Sequence, residues 1–260
     1  LAKALGVKGL LNIQFAIKDD TLFILEANPR ASRTMPFVSK VTGNQIIKAG
    51  TLLMLGHSLD SIKKTTNYLN SSTNKVAIKK AIFPWSRFPA EDTMLGPEMK
   101  ATGEVLGIGR SFGVALNKAY AAAGVEINEN EKGIFVSLSD QEKPNFIKIV
   151  KTYSDLGFKI YSTYGTGEYL KNNDIHSTIV GRADETFPTS LTILQDKLIS
   201  LVINTPTFAN EYTDGWKIRR LSHETGVAVV SSVREAEAFL KAFLETTKSF
   251  EDMEAIQNVS

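Results

Sequence analysis

The chain has no cysteine in its 260 residues. That excludes a disulfide scaffold, a thiolate metal site and a thiol nucleophile. No uninterrupted apolar run approaches the ~20 residues needed to cross a bilayer, so no membrane partner is expected. Charge of neither sign dominates: 30 Lys and Arg against 28 Asp and Glu leave a net +2. So small a surplus does not point to nucleic acid or to a membrane surface. What remains is 43% hydrophobic and 22% charged, a composition suited to one large or two modest domains of a cytoplasmic enzyme.

The chemistry begins at Phe23. An apolar strand, Phe23-Ile24-Leu25, runs into Glu26 and Asn28 and then into Arg30 and Arg33. Residues two apart on an extended chain share a face, which sets the Glu26 carboxylate beside the Asn28 amide oxygen. Such a pair suits Mg2+, a hard cation that takes oxygen ligands and shares them with substrate phosphates. Pro29 cannot donate to a sheet ladder and ends the strand. The guanidinium groups beyond it are placed to grip phosphate or carboxylate oxygens. Metal ligands beside anion clamps point to phosphoryl transfer. Upstream, Ile13, Phe15 and Ile17 alternate on one side of Asn12–Lys18, and Asp19-Asp20-Thr21 breaks the pattern before a second apolar run. The two runs read as a β-hairpin. A three-residue loop closed by Lys18 and Leu22 sets Gln14 opposite Glu26 and adds its amide to the same face.

Three strings, Asn12-Ile-Gln-Phe-Ala16, Leu25-Glu-Ala-Asn-Pro-Arg-Ala-Ser-Arg-Thr34 and Pro36-Phe-Val-Ser-Lys-Val-Thr-Gly43, closely resemble the carbamoyl-phosphate synthetase large subunit. They look like the end of its second ATP-grasp unit. The resemblance implies an ATP-dependent ligase that phosphorylates carbamate to carbamoyl phosphate for pyrimidine and arginine synthesis. It places Mg2+ or Mn2+ on Gln14, Glu26 and Asn28, ATP at Gln14 and Glu26, and K+ as a further cofactor. Arg30 and Arg33 become the catalytic residues, and a glutaminase small subunit the partner that supplies ammonia. The opening Leu1–Gly6 reads as the last turn of a helix capped by glycine. No nucleotide cradle precedes Gln14, so the expectation is a C-terminal fragment of a longer polypeptide, inactive alone.

The expected organisation is a C-terminal ATP-grasp piece over 1–56, a remainder and connection over 57–125, and a second domain over 126–260. A helix is expected over Asn44–Leu55. Residues 57–75, rich in Ser, Thr and Asn, read as a surface connection. A strand over Lys75–Phe83 is stopped by Pro84, and a Gly-punctuated loop and short strand precede a helix that Ser111 caps. Within that loop, Leu95-Gly-Pro-Glu-Met and Thr102-Gly-Glu-Val105 again resemble the large subunit. The residues alone read as surface loop carboxylates, while the resemblance lets Glu98 and Glu104 take a cationic activator such as ornithine.

From Gly133, apolar strands alternate with helices, the pattern of a doubly wound parallel sheet covered on both faces. Helices are expected over Glu142–Leu156, Gly167–Asn172, Leu191–Ile199, Ile218–Thr225 and Val233–Leu244. Such sheets bind ligands beyond the carboxyl ends of their strands. There lie Ser137, Lys143 at the next helix start, the Ser162–Gly167 turn, Arg182, Asn204 and Thr205. Backbone N–H groups at a helix start together with hydroxyls and cations make an anion site.

This half is similar to the methylglyoxal-synthase-like domain that regulates carbamoyl-phosphate synthetases, through Lys159-Ile-Tyr-Ser-Thr-Tyr-Gly-Thr166, Val202-Ile-Asn-Thr205 and Lys217-Ile-Arg-Arg-Leu221. The similarity implies a nucleotide effector, UMP first, held by Ser137, Lys143, Thr163, Gly165, Thr166, Arg182, Asn204 and Thr205. Arg182 stands where the family often has Lys, and Pro206 where it often has a hydroxyl. Two other readings stay open: a different ATP-grasp ligase fused to a lyase that uses Asp184 or Glu185, and a non-enzymatic nucleotide sensor.

Overall fold

A computed structural model describes residues 1–66, 74–88, 92–94, 99–101, 103–125, 133–182, 185, 188–205 and 213–246. Glu98, Asp184, Pro206 and the expected boundary at 126 lie outside these residues. The chain divides into two compact units, Leu1–Lys75 and one that begins at Val76.

The first unit opens on a helical turn that ends as expected. Gly6 lies at φ +61°, with Gly6 N–H donating to Lys3 O (3.2 Å) and Val7 N–H to Ala2 O (3.1 Å). Those two bonds are the pair that closes a helix on a left-handed residue. Strands β1 (Asn12–Lys18) and β2 (Thr21–Asn28) then form the antiparallel hairpin. Its loop has two residues rather than the expected three: Lys18 pairs with Thr21, and Asp19 and Asp20 sit at φ 49° and 57°. A two-residue turn with both centres left-handed matches the strand twist, and aspartate tolerates that region better than most side chains. The register then slips by one: Phe15 faces Ile24, but Gln14 faces Glu26. Leu25 is the extra residue of a bulge. The bulge supplies the residue that the short turn lacks, so the expected Gln14–Glu26 pairing survives a wrong loop.

Helix α1 (Thr34–Thr42) accepts Pro36 in its first turn, where no intrahelical N–H bond is lost, and stops at Gly43 with φ +68°. Helix α2 (Ile46–Met54) lies against the segment before β1, because a Cβ on Gly50 would come within 2.6 Å of Leu10 Cγ. Residues 57–75 are not wholly a surface connection. They contain α3 (Leu59–Thr65), capped by Ser58 Oγ accepting from Ser61 N–H at 3.3 Å, with Ile62 only 1% exposed. One buried residue in a polar helix leaves too faint a period to see in sequence.

In the second unit β3 (Val76–Ile82) pairs antiparallel with β4 (Gly103–Gly109), and α4 (Phe112–Ala122) follows with Ser111 at its cap. Strand β4 lies directly on α4: a Cβ at Gly107 would stand 2.0 Å from Ala115 O. These three elements belong to the same compact unit as the parallel sheet.

That sheet is built from β5 (Gly133–Ser137), β6 (Lys159–Ser162), β7 (Thr178–Ile179), β8 (Leu201–Asn204) and β9 (Ala228–Val230). The order is β7-β6-β5-β8-β9, every neighbour parallel. The intervening helices are α5 (Lys143–Asp155), α6 (Tyr164–Lys171), α7 (Ser190–Gln195), α8 (Asp214–Thr225) and α9 (Val233–Thr246). Alternate strand residues serve opposite layers. Ile134, Val136 and Ile203 pack with Phe146 and Val150 of α5 and Phe239 of α9. Phe135 and Val202 pack with Leu194 of α7 and Ile218 of α8. The expected doubly covered α/β sheet is what the chain forms.

Three helix bounds differ from expectation by more than two residues. Helix α6 begins at Tyr164 and α8 at Asp214, each just after a threonine in extended backbone. Helix α7 stops at Gln195 because Lys197 turns left-handed, at φ 55°, and sends Ile199 into the core. Among the described residues no helix is long and apolar enough to cross a membrane.

Candidate functional site

Two groups of expected site residues come together, one in each unit. In the first, the hairpin register sets Gln14 directly opposite Glu26, so their side chains rise from one face. Asn28 Nδ2 donates to Glu26 Oε1 at 2.9 Å, which places the carboxylate and the amide side by side. Asn12, the cross-strand partner of Asn28, donates through Nδ2 to Ser32 Oγ at 3.3 Å and ties the hairpin to the chain leading into α1. After Pro29 the backbone turns sharply, Arg30 N–H donating to Asn28 O at 2.8 Å. Arg30 and Arg33 are exposed, Arg33 immediately before α1.

The donor chemistry fits a hard divalent cation. One carboxylate and two amide oxygens on a single face leave coordination positions for the oxygens of a bound phosphate. Among the described residues no group of three or more His, Cys, Asp or Glu could hold a metal. A cation on this hairpin therefore depends on the amides and on ligand oxygens.

The second group lies at the carboxyl ends of the parallel strands. From β5 the chain steps outward through β6 and β7, then crosses to β8 and β9 on the other side. Ligands of such sheets bind where the direction reverses. Ser137 ends β5 and Asn204 ends β8 as its register partner. Lys143 opens α5, a position where the helix dipole disfavours a cation. Its Nζ is 2.6 Å from Asp140 Oδ1, and a Cβ on Gly165 would stand 3.7 Å from it. The ammonium thus sits beside the first turn of α6, whose free N–H groups add to the positive field.

Two of the expected hydroxyls have structural duties. Thr166 Oγ1 accepts from Leu138 N–H at 3.0 Å and from Thr163 Oγ1 at 3.2 Å, and Thr205 Oγ1 accepts from Ser139 N–H at 2.8 Å. Together they hold the turn after β5. Arg182 follows β7 with an exposed side chain, and its N–H donates to Glu185 Oε2 at 2.9 Å. In the β3–β4 ribbon, Glu104 meets Lys79 Nζ at 2.6 Å.

The sequence did not single out Asp140, Ser139, Asp92 or Arg219. Arg219 is 5% exposed, donates through Nη1 to Asn204 Oδ1 at 2.7 Å, and is paired with Asp92. Its signal is an arginine next to Ile218 and one turn from Ser222, both buried. A further titratable group joins β3, α4 and α8. Lys80 Nζ lies 4.0 Å from the Tyr120 ring centre, and burial pushes the ammonium below its usual range against the opposing pull of Glu235. His223 tilts against Trp85, ring centres 5.9 Å apart. Burial first, then the Lys80 and Arg220 charges, lower its pKa to about 4.

Comparison with known proteins agrees with both halves. Residues 1–62 match the carbamoyl-phosphate synthase L chain, ATP binding domain, and residues 145–231 the MGS-like domain. The carbamoyl phosphate synthase large chain, C-terminal section, of Aquifex aeolicus is 37% identical, over 97% of this chain and 49% of that protein. The section of the same name from Methanocaldococcus jannaschii is 38% identical, over 96% and 42%. The carbamoyl phosphate synthase large chain of Synechocystis is 39% identical, over 99% of this chain and 24% of that protein. The chain thus spans about half the length of the two sections and about a quarter of the undivided large chain. With an ATP-binding segment before an MGS-like sheet, and relatives aligned across nearly all of it, the chain belongs to the carbamoyl phosphate synthase large-chain family.

Proposed function

We propose that the first unit forms part of a site that phosphorylates carbamate with ATP, and that the parallel-sheet domain binds a regulatory nucleotide. In this reading residues 1–56 end an ATP-grasp domain, 57–125 complete that half and 126–260 form the allosteric domain. The observation that carries the reading is the hairpin: Gln14 opposite Glu26, Asn28 bonded to Glu26, and two arginines in the next turn. Gln14, Glu26 and Asn28 would hold Mg2+, which when bound neutralises phosphate charge. Arg30 and Arg33 bind carbamate and the oxygens of the transferring phosphoryl group, holding attacking and leaving oxygens in line. Donors fixed in advance around developing charge are worth several kcal/mol in such a barrier.

The test is ATP formation from ADP and carbamoyl phosphate by a large chain of the relatives' full length that carries this segment. Glu26→Gln is expected to lower the rate about 100-fold or more. Wild-type turnover in that variant would overturn the assignment. Nitrogen comes from a glutaminase small subunit or from free ammonia; this segment carries no thiol of its own for glutamine hydrolysis. An ornithine-type diamine at Glu98 and Glu104 would compete with Lys79 for Glu104.

For the regulatory site, a dianionic nucleotide monophosphate is the ligand that Lys143 and the α6 N-terminus favour. UMP is the first choice, since pyrimidine synthesis consumes carbamoyl phosphate. Lys143→Met is the variant to make, because Thr166 holds the Leu138 turn and its loss would disturb the loop. The variant should bind UMP at least ten-fold more weakly by calorimetry with its circular dichroism unchanged; unaltered affinity would move the effector elsewhere.

A further inference from the structure

Helix α8 touches the strand-end site at one point and the β3–β4 connection at three. Toward the site, Arg219 Nη1 donates to Asn204 Oδ1 at 2.7 Å. A guanidinium has donors and no acceptor. The amide of Asn204 therefore turns its oxygen to Arg219. Its NH2 group then faces Ser137 O at 3.5 Å, the limit of a hydrogen bond. Asn204 is 3% exposed, so this NH2 is a nearly buried donor held by one long bond to Ser137 O, with room to exchange it for a closer acceptor. Gly215, in the first turn of α8, makes room for the contact: a Cβ there would stand 3.1 Å from Arg219 Nη1 and 3.5 Å from Asn204 Oδ1.

On its other side the Arg219 fork is taken by Asp92. Nε donates to Asp92 Oδ1 at 2.9 Å and Nη2 to Asp92 Oδ2, a bidentate pair. The neighbouring Arg220 reaches the same segment, Nη1 donating to Phe88 O at 2.7 Å. One turn further on, His223 lies against Trp85. Trp85 and Thr93 are buried, so three consecutive contacts from one helix hold both ends of this segment.

We propose that the Asp92–Arg219 pair positions Asn204 as a hydrogen-bond donor to an anionic or carbonyl oxygen of the effector, and thereby ties occupancy of that site to the β3–β4 connection. The proposal rests on the effector site proposed above and names how it is regulated. Arg219 is a positioning residue. An acceptor that engages the Asn204 NH2 polarises the amide and strengthens its bond to Arg219. Binding energy then depends on how firmly Asp92 holds the fork, and by linkage the ligand steadies Asp92 in return.

The experiment uses this chain, with UMP as the probe and hydrogen exchange as a second readout. UMP should slow exchange at the amides of Trp85–Phe88 and Asp92–Met94 several-fold. Asp92→Asn, remote from the ligand, keeps one acceptor oxygen and should keep the fold; it should weaken UMP about ten-fold and abolish that protection. Equal UMP affinity in Asp92→Asn and wild type overturns the proposal. Should Asp92→Asn fail to fold, Asn204→Ala decides it, since removal of the amide should speed exchange at Asp92–Met94 without ligand; an unchanged rate overturns the proposal. Lys143→Met separates the two readings: UMP bound as in wild type there dismisses the effector site, and the ligand-free exchange of Asn204→Ala still decides the coupling.

Discussion

The β1–β2 hairpin and the five-stranded sheet carry similar apolar runs and bury them to opposite degrees. Phe15, Ile17, Leu22, Phe23, Ile24 and Leu25 are 48–75% exposed. Phe135, Val136, Val202 and Ile203 are fully buried. The difference is one of layers: helices cover both faces of the parallel sheet, whereas the hairpin is a two-stranded sheet. The sites they carry differ in the same way. Gln14, Glu26 and Asn28 are aligned by a turn and a bulge within fifteen positions of chain. The strand-end site is assembled from partners 28, 66 and 127 positions apart. A site built from local geometry takes its alignment from backbone register alone, and one built from distant partners depends on the whole domain.

The largest effect should come from breaking the buried side. Phe135→Ala removes a fully buried ring and should cost about 3–5 kcal/mol. Ile17→Ser, at a side chain 75% exposed, should change stability by less than about 0.5 kcal/mol. Urea unfolding followed by tryptophan fluorescence measures the first, because Trp85 and Trp216 both lie in the second unit. A small loss in Phe135→Ala would show that the sheet is not the core of that unit.

Acid should come next, and it should act on the second unit. His223 has a folded pKa of about 4 against an ordinary 6.5. Between those values the unfolded chain binds a proton that the folded chain refuses. Stability therefore falls as pH drops from about 6.5 to about 4, by at most about 3 kcal/mol. His223→Gln should flatten that slope in urea titrations at stepped pH; a slope unchanged by the substitution would place the acid sensitivity elsewhere.

A smaller loss is expected at the α4–α9 contact. Gly113 N–H donates to Glu245 Oε2 at 2.6 Å. That bond, opposed by burial and helped by Ser111 and Lys241, holds the Glu245 carboxyl below its ordinary 4.5. Its contribution is present above pH 4.5 and is lost as pH falls through the lower folded value. Glu245→Ala should cost about 1 kcal/mol, the worth of a helix cap, above pH 4.5 and progressively less below it. A loss that does not vary with pH would mean packing rather than the cap.

The smallest change concerns the hairpin. Asp20→Gly, at φ 57°, replaces a side chain in a region glycine adopts freely and should stabilise the turn by about 0.5 kcal/mol. Amide exchange of β1 and β2 reads it directly; faster exchange would mean that the aspartate is needed there.

Legibility followed the same division. The Glu26–Asn28 pairing was readable because two positions on a strand always share a face. Gln14 opposite Glu26 was readable too, although by way of a loop one residue too long, since the two aspartates did not announce their left-handed turn and the bulge at Leu25 left no mark in the apolar pattern. The doubly covered sheet was plain from strand-helix alternation. Helix α3 was hidden by its polar composition, with Ile62 its one buried residue. Lys143 and the α6 turn were recognisable as a cation and an anion-binding start. That Thr166 and Thr205 hold the turn after β5, and that Arg219 holds Asn204, was not.

By itself the sequence determined whatever depends on covalent periodicity: the shared face of Glu26 and Asn28, the strand end at Pro29, the inward alternation of Ile134, Phe135 and Val136, and a chain without thiol chemistry. The tertiary structure decided which polar groups meet. A hydroxyl at Thr205 is the same in sequence whether it faces a ligand or Ser139 N–H, and Arg219 the same whether solvated or locked between Asp92 and Asn204. Those outcomes depend on distances between residues far apart in the chain, which packing of the two layers sets and local periodicity does not encode.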